Sequence, residues 1–195
     1  MNSTAVIPVR VVRSPAPVRA AVRSRQNVGK GIVLRQATPA DVDAVHALIV
    51  DHRDEGRLLP RDHADVQRRI TRFVVGVRGR HVIACGELAP LSLSVAEVRS
   101  LVVSRDARGG RIGERLVEEL VHRAARGGHV TLCAFTHAPA YFVRLGFSMV
   151  PPAWIPEKIS ADCQRCPQFT RCGQYAVVRT LPNDRTAARS AALRA

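Results

Sequence analysis

The stretch LVVSRDARGGRIGERLVEEL, Leu101–Leu120, decides how this chain is read. It begins as an apolar run, breaks at the adjacent glycines Gly109 and Gly110, and continues as a helix-like run. Leu116, Val117, Leu120, Val121 and Ala124 recur at helical spacing on one face. A strand that turns through glycine into a helix builds an anion site. The first backbone N–H groups of a helix have no partner within it, and the helix dipole adds partial positive charge there. Two glycines let the backbone come close to a guest, and Arg108 and Arg111 add charge. A pyrophosphate suits such a loop. The stretch is not a Walker A loop, because no Lys-Ser/Thr follows Gly113, and it is not G-x-G-x-x-G. The competing reading is a helix start with solvated arginines.

Working outward, residues 31–37 read as a first strand. Thr38 is placed as an N-cap, Pro39 suits the first helical position, and Asp41 completes a capping-box pattern. Val42, Val45, Leu48 and Ile49 form the apolar face of that helix. A loop with Gly56 and Pro60 leads to a short helix at 64–70. Strands are expected at 72–78, 81–91 and 95–104, the first two joined by a hairpin at Gly79–Arg80. After the helix from Ile112, stopped at Gly127–Gly128, come a strand at 129–135, a short helix at 138–145 and a strand at 147–150. A Pro- and Cys-rich loop at 151–174 precedes a last strand, YAVVRTL. This order predicts an α/β sheet covered by helices on both faces.

Composition sets further bounds. The chain has 195 residues, 46% of them hydrophobic, which suggests one domain with a real core. Aromatics are 4%, which argues against a stacking platform for single-stranded nucleic acid. No apolar run reaches the length of about 18 residues that a membrane span needs. The net charge is +14, and residues 1–30 hold six cations and no acid. More than half of the excess therefore lies at the two ends, 1–30 and 182–195, which read as solvated basic tails flanking a domain at 31–181. The tails leave nucleic acid an unexpected partner. The first 30 residues lack a secretory core, so the cytoplasm is the expected location; their Arg- and Ser-rich composition is shared with organellar transit peptides.

LVVSRDARGGRIGERLVEEL resembles the acetyl-CoA-binding segment of the GCN5-related N-acetyltransferase (GNAT) superfamily. Arg108, Gly109, Ile112 and Gly113 match its pattern, whereas Arg111 stands at its central glycine and Ser104–Arg105 replaces a residue-proline pair. QATPADVDAVHALI is similar to the usual first helix, and AYFVRLGF (140–147) to the late helix-strand motif. The resemblance covers about residues 31–181. It implies a mixed, mostly antiparallel sheet and direct transfer of acetyl from acetyl-CoA to an amine. It places the pyrophosphate on Arg108, Gly109, Gly110, Arg111, Ile112 and Gly113, and the thioester against the backbone of Leu101, Val102 and Val103. The general acid of many members is a Tyr four residues before the late glycine. That position is Phe142 here, so Tyr141 is the candidate acid, one helical step away. Glu97 and Glu87, on strands beside the expected cleft, are the candidate bases.

LPRD and PEKISADCQRCPQFTRCGQYAVV resemble short bacterial forms of N-acetylglutamate synthase, which carry out the opening step of arginine synthesis. A pocket for glutamate needs cations, and Arg offers a planar fork to each carboxylate. The available ones are Arg61, Arg99, Lys158 and Arg171, with Arg61 first and Arg171 second. The resemblance also implies a homodimer. Cys163, Cys166 and Cys172 have half the spacing of a zinc site, with His137 or Cys133 as a fourth ligand; packed or redox-sensitive thiols are the other reading, and no metal is assigned. Cys85 and Cys133 read as core residues. Acetylation of another small amine or a peptide N-terminus is one alternative function. A non-catalytic regulator that binds CoA or nucleic acid is another.

Overall fold

The computed structural model describes residues 31–53 and 58–182. The expected tails and Gly56 lie outside the described residues. Seven strands form one sheet: β1 (Ile32–Gln36), β2 (Phe73–Arg78), β3 (His81–Pro90), β4 (Val95–Val103), β5 (Thr131–Thr136), β6 (Ser148–Val150) and β7 (Tyr175–Thr180). Their order across the sheet is β1-β2-β3-β4-β5-β7-β6. Every neighbouring pair is antiparallel except β4 with β5. The one parallel step follows from the long crossover between them. A chain that leaves β4 and re-enters beside it in the same direction needs a helix in between.

That crossover is α3 (Ile112–Arg126), which buries Ile112, Leu116, Val117, Leu120, Val121 and Ala124. Its apolar stripe and α4 (Pro139–Val143) cover one face of the sheet, where Ala84, Val98, Leu132 and Val177 meet them. The other face carries α1 (Val42–Asp51) and α2 (His63–Arg69), which pack on Phe73, Val75, Cys85 and Val102. The sheet is thus mixed, mostly antiparallel and covered on both faces. Cys85 and Cys133 are fully buried, and burial pushes both thiols up to about 12.

One element departs from the sequence reading. The segment 151–174 contains α5 (Pro156–Ala161). Pro156 sits in the first helical turn, where its missing N–H costs nothing, and Ile155 anchors the entry in the core beside Val95 and Ala176. Six residues are too few for the helical period to show against so many prolines and cysteines.

The start of α1 is built as its sequence suggests. Pro39–Asp41 forms a 3-10 turn, and the Thr38 N–H donates to the Asp41 carboxylate at 2.7 Å. Arg35 on β1 grips the same carboxylate with two bonds of 2.7 Å, tying strand to helix. The Arg35 hydrogen bonds hold the Asp41 carboxyl well below the usual carboxylate range, against the opposing effect of burial. Because the folded value lies below the unfolded one, this stabilisation is present above roughly pH 4 and is lost as the pH falls further. Asp41→Asn is expected to lower stability by about 1–2 kcal/mol at pH 7. Urea unfolding from pH 7 to pH 2 should show the gap to wild type closing on the acid side.

Candidate active site

The two central strands part company half-way. β4 and β5 are in register from Val95↔Thr131 to Val98↔Ala134, and beyond that point no pairing joins them. The reason lies in β4. Cys85 pairs with Val102 but Glu87 pairs with Arg99, so β4 holds one extra residue opposite Gly86. This is a β-bulge, and Ser100 within it takes a left-handed φ of 47°. The bulge turns residues 99–103 away from β5 and opens a cleft of about 1110 Å³. One wall is β4 from Glu97 to Val103, another is the head of α3, and β5 ends in the opening at Phe135–His137. On the side that β5 has left, Leu101, Val102 and Val103 line the cleft, while Val102 and Val103 stay paired on the other side with Cys85 and Ala84 of β3.

At one end of the cleft lies the glycine loop. Arg108, Gly109, Arg111, Ile112 and Gly113 line the wall, while Gly110 does not reach it. Gly109 has φ 84°, a conformation that only glycine adopts at no cost. The Arg108 Nε donates to the Val103 carbonyl at 3.2 Å, which fixes the loop to the end of β4. Arg111 is the N-cap of α3 and is also left-handed, with φ 56°. Its side chain is largely exposed and pairs with Glu114 at 2.7 Å. The backbone thus keeps the shape a glycine would give it, and the arginine side chain stands outside the turn.

Tyr141 crosses over this loop from α4. A Cβ added at Gly113 would lie 2.6 Å from the Tyr141 hydroxyl and 3.6 Å from the Val103 side chain. The phenol is half-buried, beside Phe142 and under Arg144. Burial, with Glu114 nearby, pushes its pKa up to about 12, so it holds its proton at neutral pH. Phe142, at the position one step away, is buried against Phe147. The tyrosine in the cleft is therefore Tyr141.

At the other end a row of charges crosses β3, β4 and α5. Glu87 on β3 is fully buried and is covered by Arg61 from the α1–α2 loop, which also pairs with Asp65 at 2.8 Å. On β4, Arg99 holds Glu97 at 2.5 Å. Lys158 on α5 reaches the same Glu97 at 2.8 Å, and both Lys158 and Arg99 hold Asp162. Burial opposes the charge on Arg99, but Glu97 and Asp162 outweigh it and raise its pKa.

Several candidate residues thus stand differently from the sequence reading. Glu97 and Glu87 are candidate bases by sequence, but each is buried and engaged by cations. An acid on a strand next to an open cleft attracts basic side chains from the loops above it. Arg61, Arg99 and Lys158 do converge, although 61, 99 and 158 are far apart in the chain. Arg171 does not join them: it lines a neighbouring depression with Leu58, Pro60 and Cys172. Cys163, Cys166, Cys172 and His137 line the cleft near its charged end, and Cys133 is in the core. Among the described residues, no three His, Cys, Asp or Glu side chains are arranged to hold a metal ion. The sequence reading missed Asp162 and Ser100. Neither carried a signal: Asp162 caps a helix that reads as a loop in the sequence, and Ser100 sits in a bulge.

The profile of the acetyltransferase (GNAT) family matches residues 42–147, more than half of the chain. The chain belongs to this family. It is 30% identical over 148 residues to an uncharacterized N-acetyltransferase of Chlorobaculum tepidum, a match that covers 76% of this chain and 96% of that one. It is 34% identical over 113 residues to the amino-acid acetyltransferase of Pseudomonas putida, covering 57% of this chain but 26% of that protein. The N-acetylglutamate synthase of Neisseria gonorrhoeae, solved with coenzyme A and N-acetyl-glutamate, superposes with a TM-score of 0.71 at 25% identity. That match covers 78% of this chain and 35% of that chain. The chain thus spans only about a quarter to a third of these last two relatives. A Mycobacterium tuberculosis protein solved with CoA shares the fold, with a TM-score of 0.65 at 21% identity over 77% of this chain and 99% of that one.

This GNAT enzyme is an N-acetyltransferase that uses acetyl-CoA as its cosubstrate. No helix among the described residues is long and apolar enough to cross a membrane. Two of its loop residues can be tested directly. Gly113→Ala is expected to cost about 1–3 kcal/mol, because the new methyl group collides with the Tyr141 hydroxyl. Adding Tyr141→Phe removes the colliding atom and should restore most of that loss in urea unfolding. Arg111→Gly relieves a left-handed cost of about 1–2 kcal/mol and adds about 0.5–1 kcal/mol of unfolded-chain entropy. Its stability should therefore rise by no more than about 1.5 kcal/mol. Its affinity for acetyl-CoA, measured by calorimetry at low salt, should fall a few-fold as a cation leaves the phosphate end. Tighter binding would show that the side chain obstructs the site.

Proposed function

We propose that the enzyme acetylates the α-amine of an amino acid, L-glutamate first among them, by direct transfer from acetyl-CoA. The observation that carries this reading is the row of charges at the end of the cleft, where Arg61, Arg99 and Lys158 lie beside Glu97 and Asp162. A free amino acid is itself a paired charge, with an ammonium next to a carboxylate. A wall that alternates guanidinium, carboxylate and ammonium groups complements it. A second carboxylate on the substrate competes for the same cations with the carboxylates already on them. The amino-acid acetyltransferase and N-acetylglutamate synthase relatives support the same class of substrate. On this reading the enzyme serves the first step of arginine synthesis.

The assigned chemistry runs along the cleft. The pyrophosphate of acetyl-CoA lies on residues 108–113, at the head of α3. The acetyl group then lies against the bulged end of β4, where a backbone N–H near Leu101–Val103 polarises its carbonyl. The substrate ammonium lies on the carboxylate side of the charged row and gives its proton to water in the cleft, because both oxygens of Glu97 are already held by Lys158 and Arg99. The neutral amine attacks the carbonyl carbon, a C–N bond forms, and the C–S bond breaks. Tyr141 gives its proton to the departing thiolate, a role suited to a phenol that stays protonated well above neutral pH, and the proton that the nitrogen loses as the amide forms returns to the tyrosinate through water. Arg171 is left without a part in binding.

A thiol-release assay with acetyl-CoA and a panel of amines tests this. Release with L-glutamate above all other amino acids is expected. Release with polyamines or peptides but not with free amino acids would move the substrate to another class. No release with any amine would leave the chain a CoA-binding regulator.

A further inference from the structure

Two cations of the cleft, Arg99 and Lys158, are each shared between two carboxylates, and those carboxylates are not alike. Glu97 is 3% exposed, and both of its oxygens are held: Oε1 by Lys158 at 2.8 Å, Oε2 by Lys158 at 3.0 Å and by Arg99 at 2.5 Å. It belongs to β4 at a position in register with both neighbouring strands. Asp162 is 37% exposed and reaches both cations through one oxygen, Oδ2. It follows the last residue of the six-residue helix α5, and the chain beyond it to β7 contains only 3-10 turns and loops. One carboxylate is thus built into the sheet. The other rests on the cations from a short, lightly held segment.

Arg61, Arg99 and Lys158 each already hold two carboxylates, and Arg68 and Arg69, which line the same cleft, pair with Asp65. Arg61, Arg99 and Lys158 face Asp65, Glu87, Glu97 and Asp162. A dianionic substrate entering such a cleft meets no unmatched cation among these three, and burying extra negative charge beside four carboxylates is unfavourable. For a substrate carboxylate to take Arg99 and Lys158, one of the two carboxylates already on them must give way. Asp162 is the one whose exposure and tether allow it.

We propose that Asp162 stands in for a substrate carboxylate: it occupies Arg99 and Lys158 until an acidic substrate displaces it, so this residue sets how strongly the enzyme takes such substrates. The proposal rests on the reading of the charged end as an amino-acid site. Arg99 and Lys158 lower the pKa of Asp162 although burial opposes them, as they would that of a substrate carboxylate in its place. Asp162 opposes substrate binding by competition, whereas Arg99 and Lys158 favour it. Removing its charge should therefore strengthen binding, the reverse of what losing a structural ion pair would do.

The test is calorimetric binding of glutarate, a five-carbon dicarboxylate without an amine, to the full chain in the presence of CoA. Wild type, Asp162→Asn and Asp162→Glu are compared, with thermal melting to confirm folding and Asp162→Ser as a second neutral variant. The neutral variants are expected to bind glutarate roughly tenfold more tightly than wild type, the gain of about one charged contact. Asp162→Glu, which keeps the carboxylate, should bind like wild type, and CoA affinity should be equal in all four. Unchanged or weaker glutarate binding in folded neutral variants would overturn the proposal. The amine panel answers a separate question. A wild-type chain that binds glutarate, with the expected pattern among variants, yet acetylates no amino acid would overturn the proposed activity and leave the role of Asp162 standing.

Discussion

The architecture of this enzyme depends on the extra residue in β4. Parallel pairing with β5 holds from Val95 to Val98 and then ends, because the bulge at Ser100 turns the rest of the strand away. An edge that opens inside a sheet would ordinarily be a liability, with backbone donors and acceptors left unpaired. Here it leaves the β5 side of residues 99–103 open along the cleft. The glycine loop and α3 follow directly from the end of this strand. The anion-binding turn is therefore fixed at one end of the same cleft.

Two kinds of electrostatics meet along this cleft. At the head of α3 the positive character is diffuse, made of backbone N–H groups, the helix dipole and exposed arginines. At the other end it is local, with Arg61, Arg99 and Lys158 held between carboxylates. The first arrangement suits a phosphate group with several oxygens and no fixed orientation. The second suits a small molecule whose charges must be oriented before an amine can attack. Tyr141 stands between them, and Gly113 is small so that its hydroxyl can.

Much of the fold was legible from residue patterns. The capping box at Thr38–Asp41, the hairpin at Gly79–Arg80 and the apolar stripe of α3 each state a local geometry. Their physics is local too: a cap satisfies donors one turn away, and a stripe needs only a period. Helix α5 escaped because six residues hold less than two turns, and its anchor, Ile155, packs on Val95 and Ala176 from distant strands. The bulge at Ser100 escaped for a related reason. A bulge is a mismatch between two strands, and one strand's sequence does not show it.

By itself, the sequence determined which residues could bind an anion at a helix start, which faces were apolar and which side chains carried charge. These follow from spacing along the chain. Only the tertiary structure decided who pairs with whom. Glu97, a candidate base by sequence, is the partner of Lys158 because α5 folds back over β4, and Arg171 fell outside the group that Arg61, Arg99 and Lys158 form. Arg111 kept the left-handed turn of the glycine that the family pattern has there, because the turn is imposed by the strand and helix on either side. Charge, unlike helical period, acts through space; its meaning is fixed by neighbours that the chain brings together only when it folds.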